Sequence, residues 1–216
     1  MTKQNITKKI LTSLILFLLI YAIYNFNFAL VYSLIIFGVY SLLEFLNLIR
    51  KITKNFFYLL IYNFLFIFYV FIFCILFLYF FNFYQLKIIT FSLLIGCIAS
   101  DIGGFVIGKI FKGPKLTKIS PNKTISGSIG SIFFTIIALS SSIFYFTNHL
   151  FLELIVISII TSIGCQIGDL FFSYIKRKAK VKDTGNILPG HGGVLDRVDG
   201  IFFGLPFGFF STIFIF

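Results

Sequence analysis

Seven apolar runs, at about 10–25, 27–49, 56–82, 87–109, 125–147, 150–175 and 200–216, are separated by polar segments. Several exceed the roughly 18–20 apolar residues that a helix needs to cross about 30 Å of hydrocarbon. The pattern predicts an all-α polytopic membrane protein with about seven transmembrane helices. The run at 56–82 could hold two short crossings, but the cations decide against it. With seven crossings and the N-terminus cytoplasmic, Lys87 is the only one of the 18 Lys and Arg residues to fall outside. Splitting 56–82 would invert every later loop and violate the positive-inside rule.

Composition strengthens the reading. The 216 residues are 59% hydrophobic and 12% charged, with a mean hydropathy of +1.04, too apolar for one soluble core. A net charge of +11 would suggest nucleic acid in a soluble protein. Here the cations lie in the loops, topology accounts for them, and no nucleic-acid partner is expected. Lys8 and Lys9 precede an apolar run as in a signal peptide. No small-x-small site follows, however, so the run reads as a retained first helix. Cys74, Cys97 and Cys165 lack metal-ligand spacing and read as packing residues. His149, in a short outer turn, reads as solvated.

The organisation expected is an N-terminal group of about three helices, 1–84, followed by a catalytic transmembrane region, 85–216. The latter carries two large cytoplasmic loops, 110–124 and 176–199, where a site would form. Glu44 is the sole acid of the first group and suggests no chemistry there. Small residues recur every four positions at Gly96, Ser100, Gly104 and Gly108, at Gly164 and Gly168, and at Gly200, Gly204 and Gly208. Such ridges let helix backbones approach closely, and they would also permit a homodimer.

Asp101 and Asp169 lie inside apolar runs, where a carboxylate by default marks a functional site. They precede Lys109 and Lys176 by eight and seven residues, which places both roughly 10–12 Å below the loops. At a shared depth they can share a cavity. Asp196 and Asp199 are spaced i, i+3 and share a face if a helix begins there. Carboxylates converging on phosphate suit Mg2+, and Arg197 can pair with an acid or reach a phosphate. The glycines of Pro189-Gly190-His191-Gly192-Gly193 leave backbone N–H groups open to oxyanions. Gly103-x-x-x-x-Gly108-Lys109 nearly spells a P-loop, but Ile110 takes the Ser/Thr position and no strand precedes it.

The stretch from Ser173 to Asp199 resembles the signature of the phosphatidate cytidylyltransferase family, also called CDP-diacylglycerol synthases. Ser173, Lys176-Arg177, Lys182-Asp183, Gly185, Pro189, His191-Gly192-Gly193, Asp196-Arg197 and Asp199 fill its fixed positions. A second block is similar to the family's other cytoplasmic loop: Asp101-Ile102-Gly103-Gly104, Gly108-Lys109, Lys115-Leu116 and Ile119-Ser120-Pro121-Asn122-Lys123-Thr124. Ser126, just after this block, and Phe172, just before the signature serine Ser173, stand where family members often carry acids.

The resemblance implies that CTP and phosphatidate give CDP-diacylglycerol and pyrophosphate, in phospholipid biosynthesis at the cytoplasmic (inner) membrane. It further implies Mg2+ on Asp169, Asp196 and Asp199, with a second cation such as K+. Asp101, Lys176, Arg177, Asp183, His191 and Arg197 would join these acids in catalysis. Ser120, Lys123, Thr124, Ser173, Lys182, Gly192 and Gly193 would bind substrate. The alternatives are a CTP-dependent polyprenol or phytol kinase, and a transporter whose intramembrane acids carry protons or cations.

Overall fold

The computed structural model describes residues 18, 19, 21–117, 119–121, 123–185, 187 and 192–215. Six long helices follow one another: α1 (Asn27–Ile52), α2 (Phe56–Asn82), α3 (Tyr84–Phe111), α4 (Ile125–Thr147), α5 (Glu153–Lys178) and α6 (Leu195–Ile215). Each is long and apolar enough to cross a membrane. The protein is an all-α polytopic membrane protein, and its described residues form no strand beyond an isolated bridge between Lys115 and Thr124. The run at 56–82 is one unbroken helix, as the cations required. Of the first predicted crossing, residues 18, 19 and 21–25 are helical, and the rest, with Lys8 and Lys9, lies outside the described residues.

The last helix begins earlier than hydropathy indicates. Apolar character starts at Gly200, yet α6 starts at Leu195, so Asp196 lies in its first turn. An acid there is favoured by the exposed N–H groups and the positive end of the helix dipole.

The chain divides into two compact units. The first comprises the described part of Met1–Cys74 with Ile175–Val198. In it α1 leads through Thr53–Asn55 into α2, whose start is capped by Asn55 Oδ1 accepting from Phe57 N at 3.0 Å. Phe45 and Phe66 stack with ring centroids 3.9 Å apart, and Gly38 lets Val70 approach.

The second unit comprises Ile75–Tyr174 and Asp199–Phe216. Its glycine ridges face internal neighbours. A Cβ on Gly103 would lie 2.6 Å from the Gly130 carbonyl oxygen, and one on Gly104 2.6 Å from the Ser131 hydroxyl. Gly164 likewise meets Phe207, and Gly208 meets Leu93 and Thr161. These contacts bring α3 against α4 and α5 against α6 at backbone distance, the geometry expected of small residues in lipid. Phe172 is fully buried among Phe171, Phe202 and Phe203, so its position is filled by aromatic packing.

Candidate functional site

The second unit contains a cavity of about 300 Å³ whose lining includes Ser100, Asp101, Ser120, Lys123, Gln166 and Asp169. Helices α3, α4 and α5 and the loop between α3 and α4 build it. Asp101 comes from α3 and Asp169 from α5, each one helical turn beyond a buried cysteine, Cys97 and Cys165. Gly200 of α6 lies against both acids: a Cβ there would be 3.2 Å from Asp169 Oδ1 and 3.7 Å from Asp101 Oδ1. The two carboxylates therefore share one patch of the wall, as their common depth predicts. Asp199, half-buried on the same helix, accepts from Gly200 N at 3.0 Å.

The loop from α3 to α4 supplies the cation. Lys112 ends α3 in the left-handed conformation, and the chain folds back as a small hairpin. Leu116 N donates to Lys123 O at 2.8 Å, Ile125 N to Pro114 O at 2.9 Å, and a turn closes from Lys123 N to Ser120 O at 3.0 Å. The Thr124 side chain then caps α4 by accepting from Gly127 N at 3.1 Å. Ser126 accepts from Gly113 N at 3.3 Å and so ties the loop to α4. The hairpin delivers Lys123 Nζ to within 2.9 Å of Asp169 Oδ2. Gln166 joins α5 to α4 beside the cavity, accepting from the Ser128 hydroxyl and donating to Ser128 O.

Among the described residues no three His, Cys, Asp or Glu side chains form a metal cage. The donor set is nonetheless the kind Mg2+ uses, because that ion takes one or two carboxylates and keeps water or substrate phosphate elsewhere.

The first unit holds a different arrangement. Asp196 Oδ1 accepts from Lys176 Nζ at 2.7 Å. Its Oδ2 accepts from Thr184 N at 2.7 Å, the Thr184 hydroxyl at 3.0 Å and Gly193 N at 3.1 Å. The carboxylate expected to ligate metal is thus engaged by donors of its own loop. The Gly193 amide likewise departs from expectation, since its N–H meets Asp196 rather than standing open to phosphate. Gly193 is glycine for another reason: any Cβ would strike the Thr184 hydroxyl and the Glu44 carboxylate. Gly192 has φ +85°, in the region that favours glycine.

Arg177, Lys182, Asp183 and Arg197 are exposed, Ser173 is half-buried on α5, and His191, Asn122 and Pro189 lie outside the described residues. One residue escaped the sequence reading. Glu44 of α1 is 2% exposed and accepts from the Thr184 hydroxyl at 2.6 Å and from Val194 N and Leu195 N, each at 2.9 Å. Its signal was present, a lone acid in an apolar helix, but the partners are some 140–150 residues away along the chain.

Comparison with known proteins agrees with these motifs. A family model described as "Cytidylyltransferase family" matches residues 1–215. A phosphatidate cytidylyltransferase of Rickettsia felis is 43% identical over 133 residues, covering 56% of this chain and 58% of its own. One of Helicobacter pylori is 41% identical over 113 residues, 52% of this chain and 42% of its own. One of Bacillus subtilis is 39% identical over 131 residues, 59% of this chain and 48% of its own. The chain therefore spans about half the length of the relatives it matches.

Proposed function

The chain belongs to the cytidylyltransferase family, and on that premise we propose that it is a phosphatidate cytidylyltransferase, forming CDP-diacylglycerol and pyrophosphate from CTP and phosphatidate. The observation that carries the reading is the convergence of Asp101, Asp169 and Lys123 in one cavity of an otherwise apolar helical unit. The names of the relatives supply the substrates.

In the reaction a phosphatidate oxygen bonds to the α-phosphorus of CTP while the bond from that phosphorus to the bridging oxygen of pyrophosphate breaks. The attacking oxygen is already anionic, so no general base is required. The barrier is charge repulsion and alignment between two polyanions. Lys123 sits in the cavity as a fixed positive charge for a phosphate, and Ser120 and Thr124 shape the hairpin that holds it. Mg2+, with a second cation such as K+ beside it, would be held by Asp169 with Asp101 and Asp199 and would offset charge on the α-phosphate and leaving pyrophosphate. Asp196 serves as an anchor of its loop, keeping Lys176 in place, and the exposed Arg177, Lys182 and Arg197 are further cations for substrate phosphates. The cation distribution supports a site facing the cytoplasm, and with bacterial relatives the membrane would be the inner one.

The test is a thin-layer assay of the purified protein with phosphatidate, Mg2+ and CTP labelled at the α- or γ-phosphate. Transfer of α-label into lipid with release of pyrophosphate is expected. Transfer of γ-label alone would make the protein a lipid kinase, and no transfer with either label would overturn the assignment.

A further inference from the structure

Among the described residues of the first unit, the most buried charged group is not one that the motifs single out. Glu44 lies on α1, with Phe45 beside it stacked on Phe66. A carboxylate carried into an apolar interior is strongly disfavoured unless hydrogen bonds replace its water. Glu44 has such bonds from three donors, the Thr184 hydroxyl, Val194 N and Leu195 N. Two of these are N–H groups at the start of α6, which have no acceptor within the helix. An acid from a distant helix therefore does the work that a local N-cap side chain usually does, and its charge faces the positive end of the helix dipole.

The surrounding sequence is shaped to that carboxylate. A Cβ on Gly185 would lie 2.7 Å from Glu44 Oε1, and Gly193 has no room for one. Thr184 joins Glu44 to Asp196, because its hydroxyl is 2.6 Å from one carboxylate and 3.0 Å from the other. Asp196 in turn holds Lys176. One chain of contacts thus runs from α1 through the loop to the lysine at the end of α5, all within one compact unit. An apolar side chain at position 44 would serve a spanning helix equally well, but it could not fix this loop.

We propose that Glu44 is a positioning residue for cytidylyl transfer: it holds Thr184, Val194 and Leu195 and so the first turn of α6, and thereby the placement of Lys176 and Arg197 for contact with substrate phosphates. The inference rests on the proposed function for its catalytic half, whereas its structural half stands on geometry alone.

The experiment compares full-length wild type, Glu44→Gln and Thr184→Val in lipid nanodiscs. Gln keeps the side chain's size and one carbonyl acceptor, and Val removes the hydroxyl at nearly constant shape. Amide hydrogen exchange, apparent unfolding temperature, and kcat and KM for CTP are measured on each. Faster exchange is expected for Val194 and Leu195 in Glu44→Gln, with α3 and α4 unchanged. The unfolding temperature should stay within a few degrees while kcat falls by about a hundredfold, the scale that small misplacement of reacting groups can produce. Thr184→Val should show the same pattern, less severely. Unchanged exchange in both variants would overturn the hold of Glu44 on the loop. Faster exchange with full kcat would reduce Glu44 to a structural cap and overturn the positioning role. An inactive wild type would defeat the cytidylyltransferase reading, and with it the catalytic half, while exchange still decides the structural half.

Discussion

Lys123 Nζ and Asp169 Oδ2 stand 2.9 Å apart, joining a loop hairpin to the middle of a membrane helix 46 residues away in sequence. Both side chains are partly accessible, 31% and 23%, so the pair opens into the cavity instead of being sealed in the core. Pairs of this exposure contribute little to stability, about 0–1 kcal/mol. Conservation of fold is therefore a weak account of the lysine, and its placement at a phosphate site a stronger one. Lys123→Met should leave the apparent unfolding temperature within a few degrees of wild type and lower kcat/KM at least about a hundredfold. Parallel thermal and kinetic measurements separate the two effects.

Asp101 and Asp169 present two carboxylates to the same patch beside Gly200. If they hold Mg2+, chelation by EDTA should abolish cytidylyl transfer and added Mg2+ should restore it. Asp169→Asn should need a higher Mg2+ concentration for half-maximal rate, since a neutral amide is a poorer ligand for a hard cation. A Mg2+ titration that is identical for wild type and variant would remove Asp169 from the metal site.

Packing of α3 on α4 depends on absent side chains. A methyl group at Gly103 would meet Gly130 O and Phe134 Cβ, each at 2.6 Å. Overpacking of this kind costs about 1–3 kcal/mol, so Gly103→Ala should lower the unfolding temperature in detergent. Gly38→Ala provides the contrast, because its Cβ would find Val70 at an ordinary 3.5 Å. A scan showing equal stability for both variants would contradict the close approach.

Gly193→Ala should disturb the loop more than its size suggests. Its methyl would displace the Thr184 hydroxyl or the Glu44 carboxylate, breaking contacts that also orient Asp196. Exchange at Val194 and Leu195 is expected to accelerate as it does in Glu44→Gln, together with loss of transfer. Normal exchange and normal activity in Gly193→Ala would refute the account of this glycine.

Topology is checked from the second unit alone. Lys112 and His149 lie toward opposite ends of helix α4, Lys112 just beyond the end of α3 at Phe111 and His149 beyond the end of α4 at Thr147. In sealed spheroplasts, Lys112→Cys should be protected from a membrane-impermeant maleimide and His149→Cys should react. The reverse pattern would place the cavity on the outer face.

The amino-acid sequence by itself determined the class of the protein, because lipid leaves the backbone little choice. A long apolar run must satisfy its own N–H and C=O groups, so hydropathy and loop charge are enough to locate α1 to α6 and to keep α2 whole. Asp101 and Asp169 were also legible, since a carboxylate at membrane depth is costly enough to stand out and helical rise fixes how deep it lies. Tertiary structure alone decided what faces what. Nothing local distinguishes Glu44 from an incidental polar residue until Val194 and Leu195 are found against it. The loop glycines suggested amides open to phosphate, and only the folded loop gives the Gly193 N–H to Asp196. Hydrogen bonds are directional and reach about 3 Å, so their partners depend on long-range placement that local spacing does not encode.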